Sequence, residues 1–209
     1  MRGRTRLATT VSLLALLAAG CGSGSKGGQE QTFQPGATSD TSASATPTPT
    51  TADAGPATRD NPLAQRVYKL ASEPSSPTEK AAVEAVEGYL DGLITAFATN
   101  DTASSGVKRF SSTEMYQQAQ TIVEDQVKSG YVLYGPYAVT IDPREIHSQV
   151  GVVNACVDQS ATRRHDAKTD KAGKKNDTPY VQLDYTVSRS AGPWQVTAYS
   201  GGKVNSCPA

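Results

Sequence analysis

From Ser76 onward the apolar residues fall first at helical and then at strand spacing. Val83, Val86, Leu90, Leu93 and Phe97 recur at steps of three and four, which places them on one stripe of a helix about 20 residues long. Ser76-Pro77-Thr78-Glu79 opens that helix as a capping box, with the cap at Ser76, Pro at the first helical position and Glu three residues on. Ser111-Ser112-Thr113-Glu114 repeats the signal ahead of Met115, Ala119, Ile122, Val123 and Val127, a second amphipathic face that Gly130 closes. Between the two, Val107 to Phe110 reads as a short helical turn. Upstream, Asn61-Pro62 followed by Leu63, Val67 and Leu70 has the spacing of a short helix capped at Asn61 and stopped by Glu73-Pro74.

After Gly130 the period drops from 3.6 to 2. Tyr137, Val139 and Ile141 alternate with Ala138, Thr140 and Asp142, and Val181, Leu183, Tyr185 and Val187 alternate with Gln182, Asp184, Thr186 and Ser188. Residues 149–157 are more continuously apolar, as a central strand is, and Trp194, Val196 and Ala198 form a last strand after the Ala191-Gly192-Pro193 turn. Helices followed by strands joined through turns predict an α+β domain with an antiparallel sheet, covering residues 77–209.

The first 76 residues have a different character. Arg2, Arg4 and Arg6 precede an apolar run from Leu7 to Ala19, too short for the roughly 20 residues that span a bilayer but of signal-peptide length. The run ends in Leu17-Ala18-Ala19-Gly20-Cys21, which resembles the lipobox of bacterial lipoproteins, with Ala18 where that motif usually carries Leu. The resemblance implies cleavage between Gly20 and Cys21, a signal peptide over 1–20 and a diacylglyceryl group on the Cys21 sulfur. Several acyl chains on one residue anchor stably where one chain does not. The other reading is an ordinary secreted protein with Cys21 incidental. Of the 39 residues from 22 to 60, 29 are Gly, Ala, Ser, Thr or Pro, a composition with nothing to bury. Residues 21–76 are therefore expected to be a disordered, lipid-anchored tether.

Composition narrows the function. The 209 residues carry 20 basic and 20 acidic side chains, so no positive field recruits nucleic acid. Two His and three Cys are too few for a zinc cage, and no metal or cofactor site is expected.

The helical pair, the strand ending in Asn154-Ala155-Cys156-Val157-Asp158, the charged hairpin around Thr169-Asp170-Lys171-Ala172-Gly173-Lys174, then Gly192-Pro193-Trp194-Gln195-Val196 and a terminal Cys207 resemble the nuclear transport factor 2-like domain of actinobacterial secreted lipoproteins. That resemblance implies a cone, with N-terminal helices packed against a curved antiparallel sheet, and an address on the outer face of the cell membrane. It implies no single activity, because the fold hosts enzymes, binding modules and assembly domains. With Cys21 lipidated, Cys156 and Cys207 remain, and outside the cytoplasm two such thiols normally pair. The Gly201-Gly202 pair would let the tail turn back over the sheet.

An enzyme of this fold, a small cyclase or isomerase, needs an acid or base inside the cone. Asp158, Asp184, Tyr89 and Tyr185 are the candidates. Asp184 falls on the polar side of its strand, Asp158 at a strand end, and the two tyrosines read as core rings. His147 and His165 lie in polar, loop-like contexts. These residues form no catalytic constellation, and no catalytic residue is assigned. Tyr131, Tyr134 and Tyr137, three apart around Gly135-Pro136, are either a binding surface or half-buried packing. Arg163, Arg164, Lys168, Lys171, Lys174 and Lys175 make a basic hairpin, either a contact for anionic lipid or wall polymer or a solvated tip. The expectation is a non-enzymatic binding or assembly domain of the cell envelope. Its partners are the membrane, through lipid on Cys21, and an envelope protein or small ligand. The alternatives are a small enzyme of the same fold or an accessory subunit of an import or wall-synthesis complex.

Overall fold

A computed structural model describes residues 55–208. Gly20, Cys21, the signal segment and the tether up to residue 54 lie outside the described residues. The elements run β1 (Arg66–Leu70), α1 (Pro77–Thr99), a 3-10 turn (Val107–Phe110), α2 (Thr113–Lys128), β2 (Tyr131–Tyr134), β3 (Tyr137–Ile146), β4 (Val150–Asp158), β5 (Arg163–Asp166), β6 (Ala172–Lys175), β7 (Tyr180–Ser188) and β8 (Gln195–Lys203). Two helices pack on a five-stranded sheet of order β1-β3-β4-β7-β8, and a second sheet of order β2-β5-β6 stands beside it. The fold is α+β. Among the described residues no helix is long and apolar enough to cross a membrane.

Three expectations are corrected. The sheet is mixed, not purely antiparallel, because β1 pairs in parallel with β3, from Arg66 opposite Tyr137 to Leu70 opposite Ile141. Residues 61–70 are not a helix. The Asn61 carbonyl accepts from the Thr58 N–H at 3.2 Å and the Ala64 N–H at 3.3 Å, turn bonds rather than a helical ladder, and the alternating Arg66-Val67-Tyr68-Lys69-Leu70 gains a full ladder on the free edge of β3, with Tyr68 buried. The folded part thus begins inside the segment assigned to the tether. The capping boxes also differ from the expectation, and the α2 cap shifts by one residue. Ser76 does cap α1, accepting from the Glu79 N–H at 3.2 Å, but the Glu79 carboxylate accepts from the N–H and hydroxyl of Ser75 rather than from Ser76. At α2 the cap is Ser112, accepting from the Met115 N–H at 3.3 Å, because Ser111 is buried and donates its hydroxyl to the Val107 carbonyl at 2.9 Å.

Why α1 is the central element is clear from its two faces. The stripe of Val83, Val86, Tyr89, Leu90 and Ile94 is buried against Val139, Ile141, Val153, Tyr185 and Val187 of the sheet. On the other side Gly92 lets the 3-10 turn lie directly on the helix: a Cβ there would stand 2.5 Å from the Val107 Cα. The α2 face is narrower than its pattern suggests. Met115, Ala119 and Val123 are buried, whereas Ile122 and Val127 are exposed. Gln126 turns inward instead, donating from Nε2 to the Phe97 carbonyl at 2.7 Å and to Asn100 Oδ1 at 2.6 Å.

Cys156 lies on the face of β4 opposite the α1 core and forms a disulfide with Cys207, with Cα atoms 5.6 Å apart and a separation of 51 positions in sequence. The tail reaches it differently from the expectation. Gly201 and Gly202 belong to β8, and the chain leaves the sheet only after Lys203, with the Val204 N–H still bonded to the Tyr180 carbonyl at 3.1 Å. Gly201 is needed for close approach: its φ is +121°, and a Cβ would collide with the Gln182 carbonyl oxygen.

Candidate functional site

Between the C-terminal half of α1 and the sheet the core is left open. The roof is Leu90, Leu93, Ile94 and Phe97, and the floor is Val139, Val157, Val181 and Leu183. The space between them is a cavity of about 370 Å³, within the size range of small-ligand sites. α2 contributes only Ile122 to its rim, and on the β8 side Gly201 and Gly202 offer no side chains to fill it.

Four tyrosines wall the cavity: Tyr89 from α1, Tyr137 from β3, Tyr185 from β7 and Tyr199 from β8. Tyr89 and Tyr185 meet edge to face at 5.8 Å between ring centroids, and Tyr199 lies 6.2 Å from Tyr185. Burial pushes the phenols of Tyr89, Tyr137 and Tyr185 up from their ordinary value. Tyr89 and Tyr199 each raise the Tyr185 phenol further. All three are therefore neutral donors at physiological pH. The Tyr199 hydroxyl accepts from Gln118 Nε2 at 2.9 Å. The Tyr137 hydroxyl is buried without a partner among the described residues. Gln159, Thr178 and Lys203 complete the wall, which among the described residues contains no Asp, Glu or His.

The residues singled out from sequence scatter over the molecule. Tyr89 and Tyr185 are core rings, as expected, and both line the cavity. Asp184 lies partly exposed on the other face of the sheet, accepting from Asn154 Nδ2 at 2.7 Å with the Arg144 guanidinium 3.6 Å away. Asp158 closes a turn, accepting from the Ser160 N–H at 2.9 Å. His147 sits in the β3–β4 turn, its N–H bonded to the Val150 carbonyl at 2.8 Å. His165 is in β5.

Tyr131, Tyr134 and Tyr137 do not form one surface. Tyr137 opens β3 and belongs to the main sheet, whereas Tyr131 and Tyr134 belong to β2, which pairs with β5. Their rings hold the basic hairpin in place. Tyr134 stacks on His165 at 3.8 Å and donates its hydroxyl to Asp170 at 3.0 Å, and its phenol is pushed up to about 12 by burial and by that carboxylate. The Arg164 guanidinium lies over Tyr131 at 4.8 Å and pairs with Asp177 at 2.7 Å. The hairpin expected over residues 163–175 is thus β5 and β6, joined to β2 rather than free.

A second polar cluster sits where β1 meets α1. Arg66 ion-pairs with Asp91, and the Tyr68 hydroxyl donates to Asp91 Oδ1 at 2.8 Å. Beside it, burial and then the Asp91 charge push the Glu87 carboxyl up from its ordinary value. Sequence reading missed this cluster because residues 66–70 had been assigned to a helix outside the domain. It also missed Tyr199 and Lys203. Among the described residues no three His, Cys, Asp or Glu side chains stand close enough to hold a metal ion.

No protein-family model matches the chain, and no curated protein matches its sequence. The structure is similar to that of the intermembrane space region of the chloroplast protein ARC6, over 63% of this chain and all of that one, at 12% identity and a TM-score of 0.38. A likeness of that degree carries no argument about activity.

Proposed function

We propose that this chain is a lipid-anchored envelope protein whose folded part is a non-enzymatic, nuclear transport factor 2-like binding domain, and that its ligand site is the cavity between α1 and the sheet. The observation that carries this reading is the cavity itself. Half-buried apolar side chains such as Leu93, Phe97, Val181 and Leu183 border an open space where a folded core normally closes on itself. Such a space is retained at a cost in packing, which a bound apolar molecule offsets. A wall of neutral phenols without a carboxylate or imidazole favours binding over proton transfer. The Cys156–Cys207 disulfide supports an oxidising, extracytoplasmic address, in keeping with the Arg-rich start and the Ala19-Gly20-Cys21 junction.

The test is a titration of the protein with 1-decanol, followed by methyl resonances. Saturable shifts confined to the methyls that line the cavity, Leu93, Val181 and Leu183 among them, are expected. Shifts that never saturate, or that spread evenly over the exposed Val127 and Val150, would contradict the cavity as the site.

A further inference from the structure

Resting on that cavity being a ligand site, we infer that it selects an amphipathic molecule with an anionic, acceptor-only head, held at the Tyr137–Lys203 end with its hydrocarbon body under α1. The cavity is polar at one edge. Tyr137 opens β3, Gln159 follows β4, Thr178 precedes β7 and Lys203 ends β8, so the sheet register gathers these four at one end of the strands. Further along the strands the wall is Val139, Leu183 and Tyr185, and Leu90, Leu93 and Ile94 of α1 line the cavity with them.

The edge is unbalanced in donors and acceptors. Tyr137 is 3% exposed and its hydroxyl has no partner, which is rare for a buried polar group and marks a donor waiting for an acceptor. Lys203 Nζ donates to the Asp177 carbonyl at 3.3 Å and has two further protons to give. Gln159 Nε2 gives one of its two protons to the Thr178 carbonyl at 2.7 Å. A cationic head would find no carboxylate in this wall, and a head that only donates would leave the Tyr137 proton unpaired. A carboxylate accepts from both the phenol and the ammonium, in the stronger charge-assisted form. The volume of about 370 Å³ is that of about a dozen waters at roughly 30 Å³ each. Decanoate, whose formula has about twelve non-hydrogen atoms, is a probe of comparable size.

The experiment is calorimetric titration of the intact protein with decanoate, 1-decanol and decyltrimethylammonium, each below its aggregation threshold. Decanoate is expected to bind at least ten-fold tighter than 1-decanol, and decyltrimethylammonium more weakly than either. Tyr137→Phe, which keeps the ring and its packing, should weaken decanoate about ten-fold and 1-decanol less than three-fold. Lys203→Met, at an exposed position, should weaken decanoate and flatten its salt dependence. Equal affinity for decanoate and 1-decanol, or unchanged decanoate binding in a folded Tyr137→Phe variant, overturns the head-group assignment and leaves the cavity standing. Failure of all three probes to bind overturns the cavity reading and this inference together.

Discussion

Tyr185 and Tyr199 stand directly opposite each other on β7 and β8 because Thr197 is an extra residue in β8. Val187 pairs with Val196 and Thr186 with Ala198, so Thr197 has no partner of its own. Such a bulge reverses the inside and outside of everything beyond it. Ala198, which simple alternation points inward, is exposed, while Tyr199, Gly201 and Lys203 turn to the cavity. The cavity wall on this side exists only because of that one residue.

The two rings should differ in what they hold. Tyr185 is fully buried and Tyr199 only partly. Tyr185→Ala is expected to cost about 3–5 kcal/mol and Tyr199→Ala on the order of 1 kcal/mol, as read from urea unfolding midpoints. Equal losses would mean that Tyr199 is as much a core residue as Tyr185.

The approach of the 3-10 turn to α1 predicts a second contrast. Gly92→Ala would press its methyl against the Val107 backbone at 2.5 Å, whereas a Cβ at Gly192 meets nothing. The first substitution should destabilise by about 1–3 kcal/mol and the second by a few tenths or less. A thermally unperturbed Gly92→Ala would show that the turn is free to move off the helix.

The disulfide closes 51 residues, a constraint worth about 4 kcal/mol on the unfolded chain in the entropic model. Cys207→Ser should lower the Tm by several degrees at least, while far-ultraviolet circular dichroism still shows the α+β pattern. Mass spectra of a non-reduced digest should contain one linked pair of peptides, joining Cys156 to Cys207. Two free thiols in protein taken from the envelope would contradict the pairing.

Glu87 predicts a dependence on pH. Its folded value lies above its unfolded one, chiefly through burial and then through Asp91. Below the ordinary glutamate value of 4.5 the protonated group carries no penalty. As pH rises through the raised folded value the carboxylate must ionise beside Asp91, and its contribution to stability is lost. Glu87→Gln should therefore flatten the stability profile above the ordinary glutamate range and raise stability at neutral pH. A profile unchanged by the substitution would show Glu87 ionising as freely as in the unfolded chain.

What was legible in the sequence followed from local period. The steps of three and four through Val83 to Phe97, and the alternation from Val181 to Ser188, each follow from turning one face to the core, so a single strip of sequence suffices to read them. The misses arose where a second strip decides. Leu63, Val67 and Leu70 keep helical spacing, but the open edge of β3 offers five paired positions and outweighs it. Tyr131 and Tyr134 look like a surface until β5 is laid against them. Tyr199 and Lys203 were invisible as cavity residues because a bulge leaves no mark in the hydrophobic pattern. The unpartnered Tyr137 hydroxyl was equally hidden, since an orphaned donor is defined only by what fails to reach it.

Whether the proposed binding domain is displayed on a membrane rests on Cys21, and detergent phase partitioning of wild type against Cys21→Ser tests it most directly. Wild-type protein should enter the detergent phase, with the intact mass of a chain beginning at a diacylglyceryl-modified Cys21. Cys21→Ser should retain residues 1–20 and carry no acyl mass. Wild-type protein found wholly in the aqueous phase, cleaved at another site and without added lipid, would contradict the account.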